Sequence, residues 1–450
     1  MNGPFTDANK MQGFAPKRML DINIAAPFPD IQGVGGPGKH GAIILVRNHG
    51  RSIGLVEIEP GRGRPSSSEV ADLIWRELAS AINDDLSRIG CSPVAELTPS
   101  GLTGLSAPPP LLACPPVTVL IATRDRAETL DACLRSVLAL DYPAFDVIVV
   151  DSAPSSGETA DLIASRYAGK APVCYIREDS PGLAIAHNAG LEKITAPFVA
   201  ITDDDVVVDR GWLKAIIREF NRSPKVACVT GLILPIELET PAQDLIEQFG
   251  GFAKGFSPHS FSLANASSEG VLFPYAAGAF GSGANMAFRR SSLLEIGGFD
   301  PALGAGTAAQ GGDDLAAFFD VIARGFELVY APDAVLWHRH RRDYAGVRRQ
   351  AFGYGVGLGA YVASLAVKHP LCLIDMMWRM PKAVAHVLSS NSSKNNKKTE
   401  TYPRELTRLE WLGLLRGPFR YGSSLWKTRD TRRRQRRALA TQRVLDVSAG

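Results

Sequence analysis

The alternation of hydrophobic and polar positions changes rhythm twice along this chain. Between residues 18 and 88 it is that of a small α+β unit. The apolar runs Ala42–Arg47 and Ile53–Ile58 flank Asn48-His-Gly-Arg51, which predicts a hairpin. A helix should follow. Ser66-x-x-Glu69 reads as a capping box, and Val70, Leu73, Ile74, Leu78, Ile82 and Leu86 share one face. From 92 to 116, seven prolines and no periodicity predict a linker. Beyond it, short apolar runs alternate with helical periods. Strands are predicted at 117–122, 146–150, 173–177 and 198–202. The helices between them begin at Asp125-x-x-Glu128 (Leu130, Leu134, Val137 and Leu138 inward), near 157 and at 182. This rhythm implies a parallel sheet with right-handed crossovers. The fold class expected is α/β: a Rossmann-like, mostly parallel sheet with flanking helices, a small N-terminal α+β module, and a helical, basic C-terminal region. The boundaries expected are 1–91 for the module, 92–116 for the linker, 117–345 for the α/β domain and 346–450 for the tail.

Chemistry gathers where the predicted strands end. Phe198-Val-Ala-Ile-Thr leads into Asp203, Asp204 and Asp205. Three adjacent carboxylates repel unless a cation sits among them, so an Asp-x-Asp pair holding a divalent metal is the economical reading. Thr123-Arg-Asp-Arg126 and Asp151 close two other strands, and parallel strands deliver such ends to one crevice. Arg124 and Arg126 stand at a helix start, a place that favours phosphate. Asp151 is suited to accept hydrogen bonds from a base or ribose.

Composition narrows the class. Hydrophobic residues make up 45% and charged residues 21%, as in a soluble globular protein. The six cysteines are scattered without metal-ligand spacing, and the chain opens on a polar, Pro- and Gly-interrupted segment. Reduced thiols and a cytoplasmic location are expected. Formal net charge is only +3, yet residues 371–450 hold 17 Lys and Arg against six Asp and Glu. A near-neutral body with a basic tail suggests an anionic membrane surface, at the inner face of the membrane, or another polyanion. Nucleic acid is disfavoured, because no binding motif or interleaved aromatic accompanies the charge.

The segments VLIATRDR (119–126), VIVVDSAPSS, GLAIAHNAGL and ITDDDVVVDRGWL, followed by GSGANMAFRR, GGFD, GGDDL and YAPDAVLWH in that order, resemble family 2 glycosyltransferases of the GT-A fold. The resemblance covers roughly 116–360. It implies an inverting transfer of a sugar from a nucleotide-diphosphate donor to a sugar or lipid-linked hydroxyl acceptor, with Mn2+ or Mg2+ as cofactor. By match of position, Thr123, Arg124, Arg126, Asp151, Asn188, Asp203 and Asp204 would contact the donor. Asp203, Asp205 and His338 would hold the metal. Asp314 would be the general base and Asp313 would orient the acceptor, with the bland alternative that both cap a helix at 315–322. The aromatic loop Phe273–Gly283 could present Tyr275 to the acceptor or be a packed turn, and Asn285 stands beside it. Two positions depart from the family pattern: Ala122 replaces a common Pro, and His187 an Arg.

Beyond His338, the apolar segments 353–367 and 371–378 are too short to span a membrane but suited to an interface, with Trp378 at headgroup level. Lys427–Arg437 carries seven basic residues and one Asp. Residues 390–400 are low-complexity and read as a loop. Two other functions compete. A sugar nucleotidyltransferase would place a Gly-rich signature after the first strand, where ATRDRAETL has none. A silent binding module would have lost its acidic residues, which are all present.

Overall fold

A computed structural model of the chain describes residues 14–449 apart from 32–33, 35–39, 61–63, 250 and 389–401. The loop expected at 390–400 therefore lies outside the described residues.

The N-terminal hairpin is formed by β2 (Gly41–Asn48) and β3 (Arg51–Ile58), after a first strand β1 (Lys17–Asn23) that runs parallel to β2. His49 and Gly50 both take positive φ, 49° and 87°, the left-handed pair that a tight hairpin turn demands. Helix α1 (Ser67–Arg88) packs Val70, Ile74, Ile82 and Leu86 onto these strands. Its start is the expected reciprocal cap: Glu69 N–H donates to Ser66 Oγ at 3.2 Å, and Ser66 N–H to the Glu69 carboxylate at 2.7 Å. Such a cap contributes about 1 kcal/mol. Part of the proline-rich stretch belongs to this unit. Leu97 is buried in its core, Phe28 N–H donates to the Pro99 carbonyl, and Leu102 N–H donates to that of Ile24. Proline removes periodicity without preventing packing.

The main sheet comprises β4 (Val117–Thr123), β5 (Phe145–Ser152), β6 (Val173–Glu178), β7 (Phe198–Asp203), β8 (Val206–Val208), β9 (Val226–Pro235), β11 (His259–Phe261), β12 (Asn285–Arg289) and β13 (Glu327–His338). The two-residue β10 (Glu237–Leu238) leaves it to pair with β1. The order is β11-β13-β9-β12-β7-β4-β5-β6, with β8 on β13. From β6 to β7 the strands are parallel, as expected. β12 is then antiparallel to both neighbours, so the sheet is mixed. Every residue of β4 is buried, because helices cover both faces. Leu120 and Ala122 face the core layer containing α4 (Leu183–Leu191). Val117, Val119 and Ile121 face α2 (Ala127–Leu138) on the other side. Helices α3 (Glu158–Leu162, continuing as a π turn to Tyr167), α5 (Trp212–Phe220), α6 (Pro241–Gln248), α7 (Arg290–Glu295) and α8 (Asp313–Ala323) complete the domain.

Four helices form the tail: α9 (Tyr344–Lys368), α10 (Cys372–Leu388), α11 (Arg404–Lys427) and α12 (Arg429–Ala449). α9 is long and apolar enough to cross a membrane, contrary to the expectation of a short segment, but half of its apolar stretch is buried within the protein. It crosses α11 at backbone contact. A Cβ on Gly359 would lie 2.3 Å from the Leu414 carbonyl oxygen, and one on Gly417 2.5 Å from the Gly359 Cα. The basic run is partly engaged. Arg434 pairs with Glu178 at 2.9 Å, and Arg432 lies 3.8 Å from buried Asp300. Part of that charge fastens α12 to the α/β domain.

Candidate active site

Sheet register brings the predicted carboxylates together. Thr123 is paired with Asp151 across β4–β5, and Ala122 with Asp203 across β4–β7, so three strands end on one edge. The antiparallel contact of β8 with β13 pairs Val206 with His338, returning that histidine to the same edge. Asp203, Asp205 and His338 each offer a ligand atom, all within 4.8 Å of one another.

The three aspartates have different surroundings. Asp204 is buried and fully engaged: Thr123 Oγ1 donates to it at 2.6 Å and Arg126 Nη1 at 3.0 Å. Asp205 accepts from Arg126 Nη1 at 3.1 Å and lies 3.3 Å from His338 Nε2. Burial alone would raise its pKa, but the His338 hydrogen bond and the charges of His338 and Arg126 outweigh it, holding the carboxyl at about 2. Asp203 has no side-chain hydrogen bond among the described residues. Desolvation, then the charge of Asp205, pushes it up to about 7. His338 is raised: burial opposes its charged form, and Asp205 prevails. Two carboxylates and an imidazole nitrogen, one carboxylate without a side-chain hydrogen bond among the described residues, form a donor set that fits Mn2+, and Mg2+ less well.

Asp313 and Asp314 begin α8. Asp314 is half-exposed and fixed at both oxygens: Gly283 N–H donates to Oδ2 at 2.9 Å and Leu315 N–H to Oδ1 at 2.8 Å. Desolvation raises its pKa against those two bonds and the Lys254 charge. Asp313 is buried, and desolvation followed by the Asp314 charge pushes it up to about 8. Expected to orient the acceptor, it lies beneath the surface beside Asp314.

Several other expected contacts are engaged elsewhere. The Thr123 hydroxyl and the Arg126 guanidinium serve Asp204 and Asp205, and Asp204 is an anchor for them. Among the donor residues, Arg124 is half-exposed, and Asp151 accepts from the Tyr175 hydroxyl at 3.0 Å while its Oδ1 has no hydrogen-bond partner among the described residues. Asn188 is a structural cross-link. Its amide donates to the Phe299 carbonyl at 2.8 Å and to Gln435 at 3.2 Å, and accepts from Phe299 N–H at 2.9 Å. The neighbouring His187 is wholly buried, and desolvation lowers its pKa to about 3, so it supplies no charge in place of the family's arginine. Asn285 also points into the core, accepting from Trp212 Nε1 at 2.8 Å and donating to the Leu232 and Ala334 carbonyls. The Tyr275 hydroxyl donates to Asp375 at 2.8 Å, and the loop around it is a packed turn with Phe273, Ala277 and Phe280 buried. Asp125 does not cap α2. It takes a left-handed φ of 53° and accepts from Ser155 N–H at 2.8 Å.

Sequence reading missed His340 and Glu247, which stand behind His338. The alternation His338-Arg-His340 was the available signal, since residues two apart on an extended segment share a side.

Parallel strands β6-β5-β4-β7, antiparallel β12 beside them and acidic tips on one edge define an α/β fold of the GT-A type. The sequence pattern described as "Glycosyltransferase like family 2" matches residues 115–353, more than half of the chain, and the chain belongs to that family. It is 30% identical over 261 residues to the pre-mycofactocin glycosyltransferase of Mycobacterium tuberculosis (strain ATCC 25618 / H37Rv), covering 56% of this chain and 48% of that protein. It is 24% identical over 241 residues to the poly-beta-1,6-N-acetyl-D-glucosamine synthase of Staphylococcus aureus (strain COL), covering 54% of each. The chain thus spans about half the length of the curated relatives it matches. A solved structure, the mannosyltransferase PcManGT from Pyrobaculum calidifontis in complex with GDP-Man and Mn2+, is 20% identical with a TM-score of 0.42, covering 75% of this chain and 90% of that one. That likeness carries no argument about the site.

Proposed function

We propose that this protein is a metal-dependent, inverting glycosyltransferase that moves a sugar from a nucleotide-diphosphate donor to a hydroxyl acceptor. The observation that carries the reading is the convergence of Asp203, Asp205 and His338 within 4.8 Å at the sheet edge. A divalent ion held by these residues would neutralise charge developing on the diphosphate leaving group. We assign Asp151, buried with no hydrogen-bond partner at Oδ1 among the described residues, to the nucleotide base or ribose, and exposed Arg124 to phosphate. Thr123 and Arg126 act one step back by fixing Asp204 and Asp205. Asp314 takes the acceptor proton: it is half-buried, and two backbone N–H groups hold its carboxylate in one orientation. The name of one relative, a poly-beta-1,6-N-acetyl-D-glucosamine synthase, supports a sugar acceptor.

The tail provides a membrane-facing surface, at residues other than the basic run. Trp378 is 81% exposed beside exposed Leu371, Ile374 and Met377. On α11, Leu415, Phe419 and Trp426 share a face, and Phe419 is 83% exposed, with Arg416 and Arg420 alongside. Apolar and aromatic residues flanked by cations suit the interface of an anionic leaflet, consistent with a peripheral enzyme at the cytoplasmic face. The test is a donor screen with Mn2+ or Mg2+ that follows nucleoside-diphosphate release. One donor should be turned over, with loss of activity in EDTA and its return on adding metal. Turnover undiminished by chelation would defeat the metal reading. Flotation with anionic vesicles should retain the protein, and Phe419→Glu with Trp426→Glu should release it.

A further inference from the structure

Resting on the metal site proposed above, we infer that Glu247 and His340 are positioning residues that keep a proton on His338 Nδ1, so that Nε2 is the nitrogen His338 offers to an ion beside Asp203 and Asp205. The geometry is a chain running away from the cluster. His338 Nδ1 lies 3.3 Å from His340 Nδ1, and His340 Nε2 lies 2.7 Å from Glu247 Oε1. His340 is 3% exposed, on the segment just after β13. Glu247 lies in the last turn of α6. The Phe252 ring stands 5.1 Å from the His338 ring and 5.7 Å from that of His340, restricting both.

Hydrogen-bond polarity then fixes each proton. An ionised carboxylate only accepts, so His340 carries its proton on Nε2 and donates it to Glu247. The Nδ1 of His340 is left as an acceptor. His338 Nδ1, facing it, must be the donor, which leaves Nε2, 3.3 Å from Asp205 Oδ1, to donate to that carboxylate while no ion is bound and to offer its lone pair when one is. An imidazole ligates only through a lone pair, so this order presents the correct nitrogen to the ion and holds the ring plane. Reversing the chain would fix a proton on Nε2, pointing at the ion's position. The carboxylate thus acts on the site through two imidazoles and touches neither substrate nor ion.

The experiment is a Mn2+ titration of the full chain without donor, following free ion by electron paramagnetic resonance, with thermal unfolding recorded for each variant. Asp205→Ala and His338→Gln test the site itself: unchanged affinity in both would remove the metal reading and this inference with it. If those two lose the ion, Glu247→Gln and His340→Phe should weaken it about 10- to 100-fold, the usual range for groups that orient a ligand. Wild-type affinity in both would overturn the relay while leaving the metal site standing. Should either variant fail to fold, the wild type still decides. In 15N-histidine-labelled enzyme with diamagnetic Mg2+, the ring missing from His338→Gln should show a protonated Nδ1 and a bare Nε2. A proton on Nε2 would overturn the assignment.

Discussion

At the sheet edge, three aspartates, an arginine and two histidines are held by one another's charges and protons. At the crossing of α9 and α11, by contrast, two helices meet where Gly359 and Gly417 have no side chains at all. The first region depends on which functional groups are present, the second on groups being absent. Substitution should therefore separate them: changes at the edge alter binding and rate while the fold persists, and changes at the crossing alter the fold first.

The largest effect is expected from Asp205→Ala. It removes a ligand atom, so Mn2+ affinity and turnover should both fall by more than roughly 100-fold, beyond the range typical of supporting residues. The melting temperature should stay near that of wild type. A large loss of stability instead would show that the edge, like the crossing, is chiefly structural.

Gly417→Val should do the reverse. Its Cβ would approach the Gly359 Cα to 2.5 Å, and overpacking of this kind costs about 1–3 kcal/mol, more where backbone cannot yield. Thermal unfolding measures it, with Gly422→Ala on the same helix as the control. That position has open space around it, and replacing a helical glycine should stabilise by up to about 1 kcal/mol. Equal behaviour of the two variants would discard the close-contact account.

Asn285→Ala sharpens the comparison from within the catalytic domain. It strands the Trp212 N–H and two carbonyls, at about 1–3 kcal/mol, and should leave the acceptor KM unchanged. A raised KM in a stably folded variant would restore an acceptor role. The smallest effect is predicted for Arg434→Ala. Arg434 is 61% exposed in its pair with Glu178, and such pairs contribute about 0–1 kcal/mol, screened by salt.

The same contrast explains what the sequence discloses. Strands β4, β5 and β7 are legible because both faces of a parallel sheet are buried, which turns alternation into continuous apolar runs ending in Thr123, Asp151 and Asp203. Asp314 and His338 are legible only in the company of the family's ordered motifs. Glu247 is not, since it reaches His340 from a helix 93 positions earlier, joined to it by tertiary structure alone. Asn188 and Asn285 misled for a related reason. A polar residue inside a motif looks functional until its distant backbone partners are seen. The partners of Arg432 and Arg434 were hidden for the same cause, with Asp300 and Glu178 lying far away in the chain.

Finally, β10 leaves the catalytic domain to become the fourth strand beside β1, while Arg47 reaches Asp209 at 2.9 Å and Ser52 N–H donates to Asp333 at 2.8 Å. Leu45 shares one apolar cluster with Leu232, Leu234 and Val335. The family match begins at residue 115, which would invite trimming the chain there. A chain so shortened would bare that leucine-lined face and an unpaired strand edge, a template for self-association. The first hundred residues are thus less a detachable cassette than a permanent shield. Solubility should be the first property to fail without them, ahead of any change in chemistry.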